Sequence, residues 1–489
     1  MSEVVQGFDP RTGLPLGEPL PATTPEEVDR VCRALDGLAH AWATTSRESR
    51  ARTLEAVADR LDDHTDELAA LADGETALGL PRLAGEVART TGQLRLFAEV
   101  LRDGGYLGSV VEPADPGAAP PRPDLRRSKR PTGLVAVFAA SNFPFAFSVA
   151  GGDTASALAA GCPVVVKAHE AHPRTSARTA ELVAEALADC GAPAVFALVH
   201  GFDAGVALVR HAAVTGVGFT GSTRGGLALA AECARRPEPV PFFGELGSVN
   251  PVVVLPGAAR ARAEAVATGW AGSLTLGVGQ FCTNPGLLFV PDDADLLAAL
   301  GEAVSATSGA PMLTARIHAA HRDAVVALAA RPEVTLLAES TAGEGPWAGR
   351  PAAFRVDADD FEAASDYFFE ERFGPVGIVV TGATPERAAG WIARGPGQLT
   401  CGVHLDETDP DDLAAASRLL DTAARRAGRV VVNGWPTGVA VNRAQQHGGP
   451  FPATTGPAHT SVGAAAIDRW LVPVAYQDCP PALLPPELR

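Results

Sequence analysis

The chain has 489 residues, 46% hydrophobic and 20% charged, which describes a globular protein too long for one ordinary core and predicts two or three domains. A formal net charge of −17 argues against nucleic acid or an anionic membrane as a partner. Seven cysteines without paired spacing read as reduced thiols in a cytoplasmic protein with no metal site, and the first ten residues carry no leader pattern.

Residues 24–103 read as helices. Thr24-Pro25-Glu26-Glu27 supplies a cap, a Pro at the first helical position and acids in the first turn. Val28, Val31, Leu35 and Leu38 follow at helical spacing, and further helices are expected over 46–62, 64–75 and 83–103. Residues 113–125 hold five prolines and predict an extended crossing segment. Leu134 to Gly152 is uncharged, but Ser141, Asn142, Pro144 and Ser148 interrupt it, so a buried strand and loop explain it better than a membrane span.

From residue 133 strands and helices alternate. Strands are expected at 133–139, 163–167, 194–199 and 214–220, and helices at 154–160, 175–190, 204–211 and 223–235. Repeated units of this length imply a parallel, doubly wound sheet. A second α/β block is expected from about 250 to 450, with strands at 251–255, 287–290, 375–380, 401–405 and 429–433. Its helices fall at 260–271, 292–304, 317–330, 385–393 and 409–426, and the last 30 residues return to Pro-rich extended chain.

Chemistry-bearing residues sit at the strand ends. Asn142, in Ser141-Asn142-Phe143-Pro144, has a short amide donor on a Pro-fixed loop that suits an oxyanion hole; an Asx-turn role is the alternative. Lys167 ends a buried strand three residues before Glu170, where both could bond the ribose hydroxyls of adenosine, or simply be a solvated loop. One GxGxxG pattern runs from Gly216 to Gly221. Its first two glycines fall inside a strand, so the useful turn is Gly221-Ser222 with Gly226 one helical turn on, facing a phosphate. Glu245 lies between glycines in Phe243-Gly244-Glu245-Leu246-Gly247, and Cys282 lies among turn-forming residues in Gly279-Gln280-Phe281-Cys282-Thr283-Asn284-Pro285. A thiol and a carboxylate on two tight turns are a nucleophile and a base for water, which a covalent thioester mechanism needs.

These residues, in this order, resemble the aldehyde dehydrogenase superfamily over essentially the whole chain, with Glu370-Glu371-Arg372-Phe373-Gly374-Pro375 as a further motif. Within it, Ser148–Leu158, Glu245–Pro251, Phe281–Pro285, His447–Thr455 and Tyr476–Pro485 resemble the 2-oxoglutarate semialdehyde (2,5-dioxovalerate) dehydrogenase branch. A bacterial long-chain aldehyde dehydrogenase shares many of them. The resemblance implies an α/β fold with a Rossmann-like cofactor domain (1–112 and 132–246), a second α/β catalytic domain (247–454) and an oligomerisation β-arm (113–131 and 455–489), assembled as a homodimer or homotetramer. It implies NAD(P)-dependent oxidation of an aldehyde to an acid through a Cys282 thioester. Asn142 and the Cys282 N–H would hold the oxyanion and Glu245 would activate water. Lys167, Gly221, Ser222 and Gly226 would bind the cofactor, and Glu371 with Phe373 would hold the nicotinamide ribose.

Two residues depart from the pattern. Arg372 stands where the family usually has an apolar residue. Glu170 is the acid that NAD-preferring members carry, whereas this branch often has a neutral residue and accepts NADP, so NAD is expected to be preferred. A CoA-acylating enzyme has no need of Glu245, and a catalytically retired binding protein has no need of either Glu245 or Cys282. An aliphatic aldehyde is the alternative substrate. A 2-oxo acid semialdehyde requires a cationic clamp, for which Arg316 and Arg443 are candidates, each readable equally as a surface charge.

Overall fold

The structure is a computed structural model that describes residues 4–489; Met1–Glu3, on which the leader reading and the first expected domain begin, lie outside the described residues. The helix Pro25–Thr44 starts where its sequence signals it: Thr24 accepts from the Glu27 N–H while Glu27 reaches back to the Thr24 N–H, with Pro25 needing no donor of its own. The helices Arg47–Asp63, Thr65–Thr76 and Leu80–Asp103 follow.

Five parallel strands form the first sheet, in the spatial order Phe196–Val199, Val164–Lys167, Leu134–Phe138, Val214–Thr220, Phe242–Glu245. The strand Leu134–Phe138 is buried along its whole length, as a strand covered on both faces must be. Its side chains alternate. Val135 and Val137 pack with the helices spanning 47–103, and Leu134, Ala136 and Phe138 pack with Val28, Cys32 and Leu35 of the first helix. Chain order runs outward from this strand in both directions, so the winding reverses between Leu134–Phe138 and Val214–Thr220, and a crevice opens beyond their carboxyl ends.

The second sheet has seven strands, ordered Thr335–Glu339, Ala352–Asp357, Val376–Thr381, Leu287–Phe289, Val252–Val254, Gln398–His404, Ala427–Val432, parallel except for the edge pair Thr335–Glu339 and Ala352–Asp357. That pair is absent from the sequence reading, as is the strand Phe242–Glu245. Thr335–Glu339 alternates poorly because it is an edge with a register shift at Leu336/Ala338, so it carries no clean period-two pattern. A third sheet is antiparallel. Leu125–Pro131 lies between Val110–Glu112 and Leu471–Gln477, so the Pro-rich crossing segment and the chain's tail meet in one structure. No helix among the described residues is long and apolar enough to cross a membrane.

Candidate active site

Glu245 sits at the end of a strand, not on a free turn: Thr220 pairs with Glu245, and the Gly221 N–H donates to the Glu245 carbonyl at 3.1 Å. The sequence reading put it on a tight turn because the two flanking glycines mask a four-residue strand. Its far side is strapped by the 453–455 segment, with the Leu246 N–H donating to the Ala453 carbonyl at 2.8 Å and the Gly244 N–H to Thr455 Oγ1 at 2.8 Å.

Cys282 and Glu245 come together around a third residue. His447 Nε2 lies 3.0 Å from Glu245 Oε1 and 3.6 Å from Cys282 Sγ. Ser461 Oγ donates to the other carboxylate oxygen of Glu245. His447 is buried, held by its N–H to Thr460 Oγ1 at 2.8 Å and by its carbonyl, which accepts the Ser461 N–H at 2.9 Å. The sequence reading quoted His447 only as a branch marker and missed Ser461. These two lie 202 and 216 residues from Glu245, and the only signal was a lone histidine ahead of Gly448-Gly449-Pro450.

The electrostatics separate the two acids. Burial pushes the Glu245 pKa up, but His447, Ser461 and the Cys282 thiol outweigh it and hold the carboxyl below its ordinary value. Withdrawal from water and the Glu245 carboxylate push the Cys282 thiol well above its ordinary value, with Arg89 acting in the opposite direction. The resting site is therefore a carboxylate beside a neutral thiol. The turn-forming residues around Cys282 do not leave it exposed: it is half-buried, because the loop folds under the 447–461 strap. The three donor atoms of Glu245, Cys282 and His447 lie within 4.8 Å of one another, a spacing that could also hold a metal ion.

Asn142 is buried on the loop beyond Leu134–Phe138, and its Nδ2 donates to the Gln280 carbonyl at 2.9 Å, two residues before Cys282. That bond leaves its second amide hydrogen to donate. Asn250 Nδ2 donates to the carbonyls of Cys282 and Asn284 at 2.8 and 2.9 Å, which fixes the thiol loop from beneath.

Lys167 and Glu170 form an ion pair with each other at the end of Val164–Lys167, on the same sheet edge but apart from the thiol. Ser222 caps the helix Thr223–Arg235 by accepting from the Gly225 N–H at 3.3 Å. A side chain at Gly226 would run into Leu246 and Phe219, so its glycine serves close helix–strand packing. Glu371 reaches the Glu245 loop: a Cβ at Gly247 would lie 2.6 Å from Glu371 Oε2, and the Gly247 N–H donates to Thr223 Oγ1 at 3.1 Å. Phe373 lines the same hollow as Gly279, Phe281 and Glu371. Arg372 turns back, donating to the carbonyls of Glu370 and Tyr367 at 2.8 and 2.9 Å and stacking on Tyr367, so it braces the loop. Both suggested clamps are exposed, and Arg443 has only Asp103 at 3.8 Å, so neither faces the thiol as a buried cation.

Residues 2–471 match the aldehyde dehydrogenase family. The chain is 46% identical to alpha-ketoglutaric semialdehyde dehydrogenase 2 of Azospirillum brasilense, over 99% of this chain and 93% of that protein. It is 40% identical to alpha-ketoglutaric semialdehyde dehydrogenase of Acinetobacter baylyi, over 97% and 91%. Among solved structures, the aldehyde dehydrogenase KauB of Pseudomonas aeruginosa superposes with a TM-score of 0.82 at 22% identity, covering 97% of this chain and 93% of that one. An aldehyde dehydrogenase C variant of Pseudomonas syringae in complex with NAD+ and octanal gives 0.81 at 22% identity, over 99% and 95%. These two likenesses concern the fold.

Proposed function

This chain belongs to the aldehyde dehydrogenase family and is an NAD(P)-dependent aldehyde dehydrogenase, and from that premise we propose that it oxidises 2-oxoglutarate semialdehyde to 2-oxoglutarate with NAD preferred over NADP. The substrate rests on the two alpha-ketoglutaric semialdehyde dehydrogenases to which it is similar along nearly its whole length. The observation that carries the chemistry is the contact of His447 with both Glu245 and Cys282.

Cys282 Sγ attacks the aldehyde carbon while its proton passes through the Glu245–His447 pair to solvent, which leaves the pair deprotonated for the second step. Asn142 Nδ2 and the Cys282 N–H donate to the oxyanion. A nicotinamide held in the crevice would supply the acceptor for the hydride that must leave the tetrahedral adduct for the thioester to form. Glu245, held anionic by His447 and Ser461, then removes a proton from water, and hydrolysis frees the acid. A metal ion bound by the same three groups would spend both nucleophile and base, so the cluster is read as a proton relay.

The residues present fit a dinucleotide. The capped N-terminus of Thr223–Arg235 opens toward the crevice, Gly226 lets that helix close on the sheet, and Lys167 stands at the end of the strand on the other side of Leu134–Phe138. Glu170 beside Lys167 supports NAD, because a carboxylate there accepts from a ribose 2′-hydroxyl and repels a 2′-phosphate. Glu371 and Phe373 would hold the nicotinamide ribose. The three sheets support a division into a cofactor domain (1–112 and 132–246), a catalytic domain (247–454) and an arm (113–131 and 455–489), except that Val110–Glu112 pairs with the arm. The uncovered edge strands of the arm support pairing between copies in a homodimer or homotetramer.

The test is NADH formation with purified protein, each cofactor, and a panel of dicarboxylic semialdehydes and aliphatic aldehydes. The highest kcat/KM is expected with 2-oxoglutarate semialdehyde and NAD. A higher value with a long-chain aldehyde overturns the substrate.

A further inference from the structure

The helix Leu80–Asp103 carries Arg82, Glu86 and Arg89 at the spacing that aligns side chains on one helical face. Glu86 docks on the loop after Asn142: its Oε1 accepts the N–H groups of Phe145 and Ala146 at 2.9 and 3.0 Å, while its Oε2 is buried without a hydrogen-bond partner. Its bonds draw the helix against Phe143 and Phe147. Arg89 lies over both rings, 5.9 and 5.2 Å from their centroids. Phe147 in turn packs against His447, with ring centroids 6.4 Å apart, and His447 touches the thiol. A continuous wall therefore runs from Cys282 through His447 and Phe147 to the Arg89 guanidinium.

Arg89 is half-buried and has no carboxylate within 4.0 Å among the described residues. Of its five N–H donors, one makes a long 3.3 Å bond to the Val439 carbonyl. The other cations near the site have shorter or charged partners, although Arg82 Nη1 and Arg429 Nε are buried without one. Arg429 donates to the carbonyls of Pro436 and Gly438, Arg469 pairs with Asp153 at 2.7 Å, and Arg82 donates to the Asn142 carbonyl at 2.8 Å. The charge of Glu86 acts most on Arg89, followed by those of Cys282 and Glu245, and Arg89 makes no hydrogen bond or ion pair with any of the three.

We propose that Arg89 is the specificity-determining residue that receives the distal carboxylate of the substrate, with the aldehyde end at Cys282 and the short chain lying along Phe143 and Phe147. This deepens, and rests on, the reading of the substrate as a semialdehyde of a dicarboxylic acid. A guanidinium with unspent donors on an aromatic wall suits a bidentate carboxylate, and water-poor surroundings strengthen the pair.

The test compares 5-oxopentanoate with pentanal, which share chain length and differ in the carboxylate. In the native enzyme the ratio of their kcat/KM values should strongly favour the acid. In Arg89→Gln that ratio should fall about 10- to 150-fold, the range of a lost charge-assisted bond. Taking the ratio cancels any shared loss of thiol reactivity. Arg89→Lys, which keeps the charge and loses the fork, should give an intermediate ratio, and Arg82→Gln a change of about twofold or less. Glutarate should protect native Cys282 from iodoacetamide at concentrations where sodium chloride does not, a measurement that needs no variant. An unchanged ratio in Arg89→Gln or Arg89→Lys, a larger collapse in Arg82→Gln, or no protection by glutarate overturns the assignment of Arg89. A native enzyme that oxidises pentanal as well as 5-oxopentanoate removes the dicarboxylic substrate itself and this inference with it.

Discussion

The two ends of the crevice are built in opposite ways. At the end proposed for the ribose, Lys167 and Glu170 are three residues apart in sequence and satisfy each other's charge. At the thiol end Cys282, Glu245, Asn142 and the His447–Ser461 strap come from four separate stretches of chain, and their charges do not cancel: a neutral thiol stands beside a carboxylate. A local motif can be complete in itself and determine selectivity between two cofactors. A site that must create a nucleophile needs groups whose pKa values are pushed apart, and that takes burial by distant segments.

Four substitutions break or sharpen this contrast. The largest effect belongs to Cys282→Ala, which should lower aldehyde oxidation by about 10⁴-fold or more while cofactor affinity, a property of the other end, stays intact. NADH assays with cofactor titration by fluorescence check both, and residual turnover within about tenfold of native would falsify the nucleophile.

Glu245→Gln should leave a burst of NADH and slow the steady state by about 10²- to 10⁴-fold, since an amide cannot take a proton from water. The sign of its pH effect follows from the pKa directions. The Glu245 carboxylate raises the Cys282 pKa, so removing that charge lowers it, and alkylation of Cys282 should rise at a lower pH than in the native enzyme. A rise at the same or a higher pH would mean that the carboxylate does not act on the thiol.

His447→Asn should slow the burst itself by about 100-fold and move its dependence on pH, because the imidazole bridges thiol and carboxylate. Stopped-flow absorbance across pH separates this from a structural role. Lower amplitude with an unmoved profile would reduce His447 to a packing residue.

The smallest effect is at the ribose end. Glu170→Thr should narrow or reverse the preference for NAD over NADP by about 5- to 150-fold, the value of about 1–3 kcal/mol of like-charge repulsion in a partly buried site. Turnover with NAD at saturation should change little. Equal use of both cofactors by the native enzyme would remove Glu170 from the ribose site.

Much of the first sheet was legible because its strands are buried on both faces and read as unbroken apolar runs, such as Val164–Lys167. The strand Phe242–Glu245 was hidden by its glycine, and Thr335–Glu339 by its place at a sheet edge. Cys282 stood out because its loop is dense in turn residues. His447 did not, because one histidine in sequence has no direction until the 447–461 strap turns it onto Glu245. Arg89 was invisible for a related reason. On a helix surface an arginine is ordinarily a solvated charge, and only the docking of Glu86 onto the loop after Asn142 carries its neighbour into the crevice.

The sequence by itself determined the α/β architecture, the order of the strand-end motifs and the choice of a thiol and a carboxylate as the candidate reacting groups, because apolar runs, caps and turns act over a few residues. Only the tertiary structure decided which imidazole joins them, which pKa rises and which falls, and which arginine lies over the aromatic wall beside the thiol, because proximity, burial and charge are properties of atoms brought together from segments hundreds of residues apart.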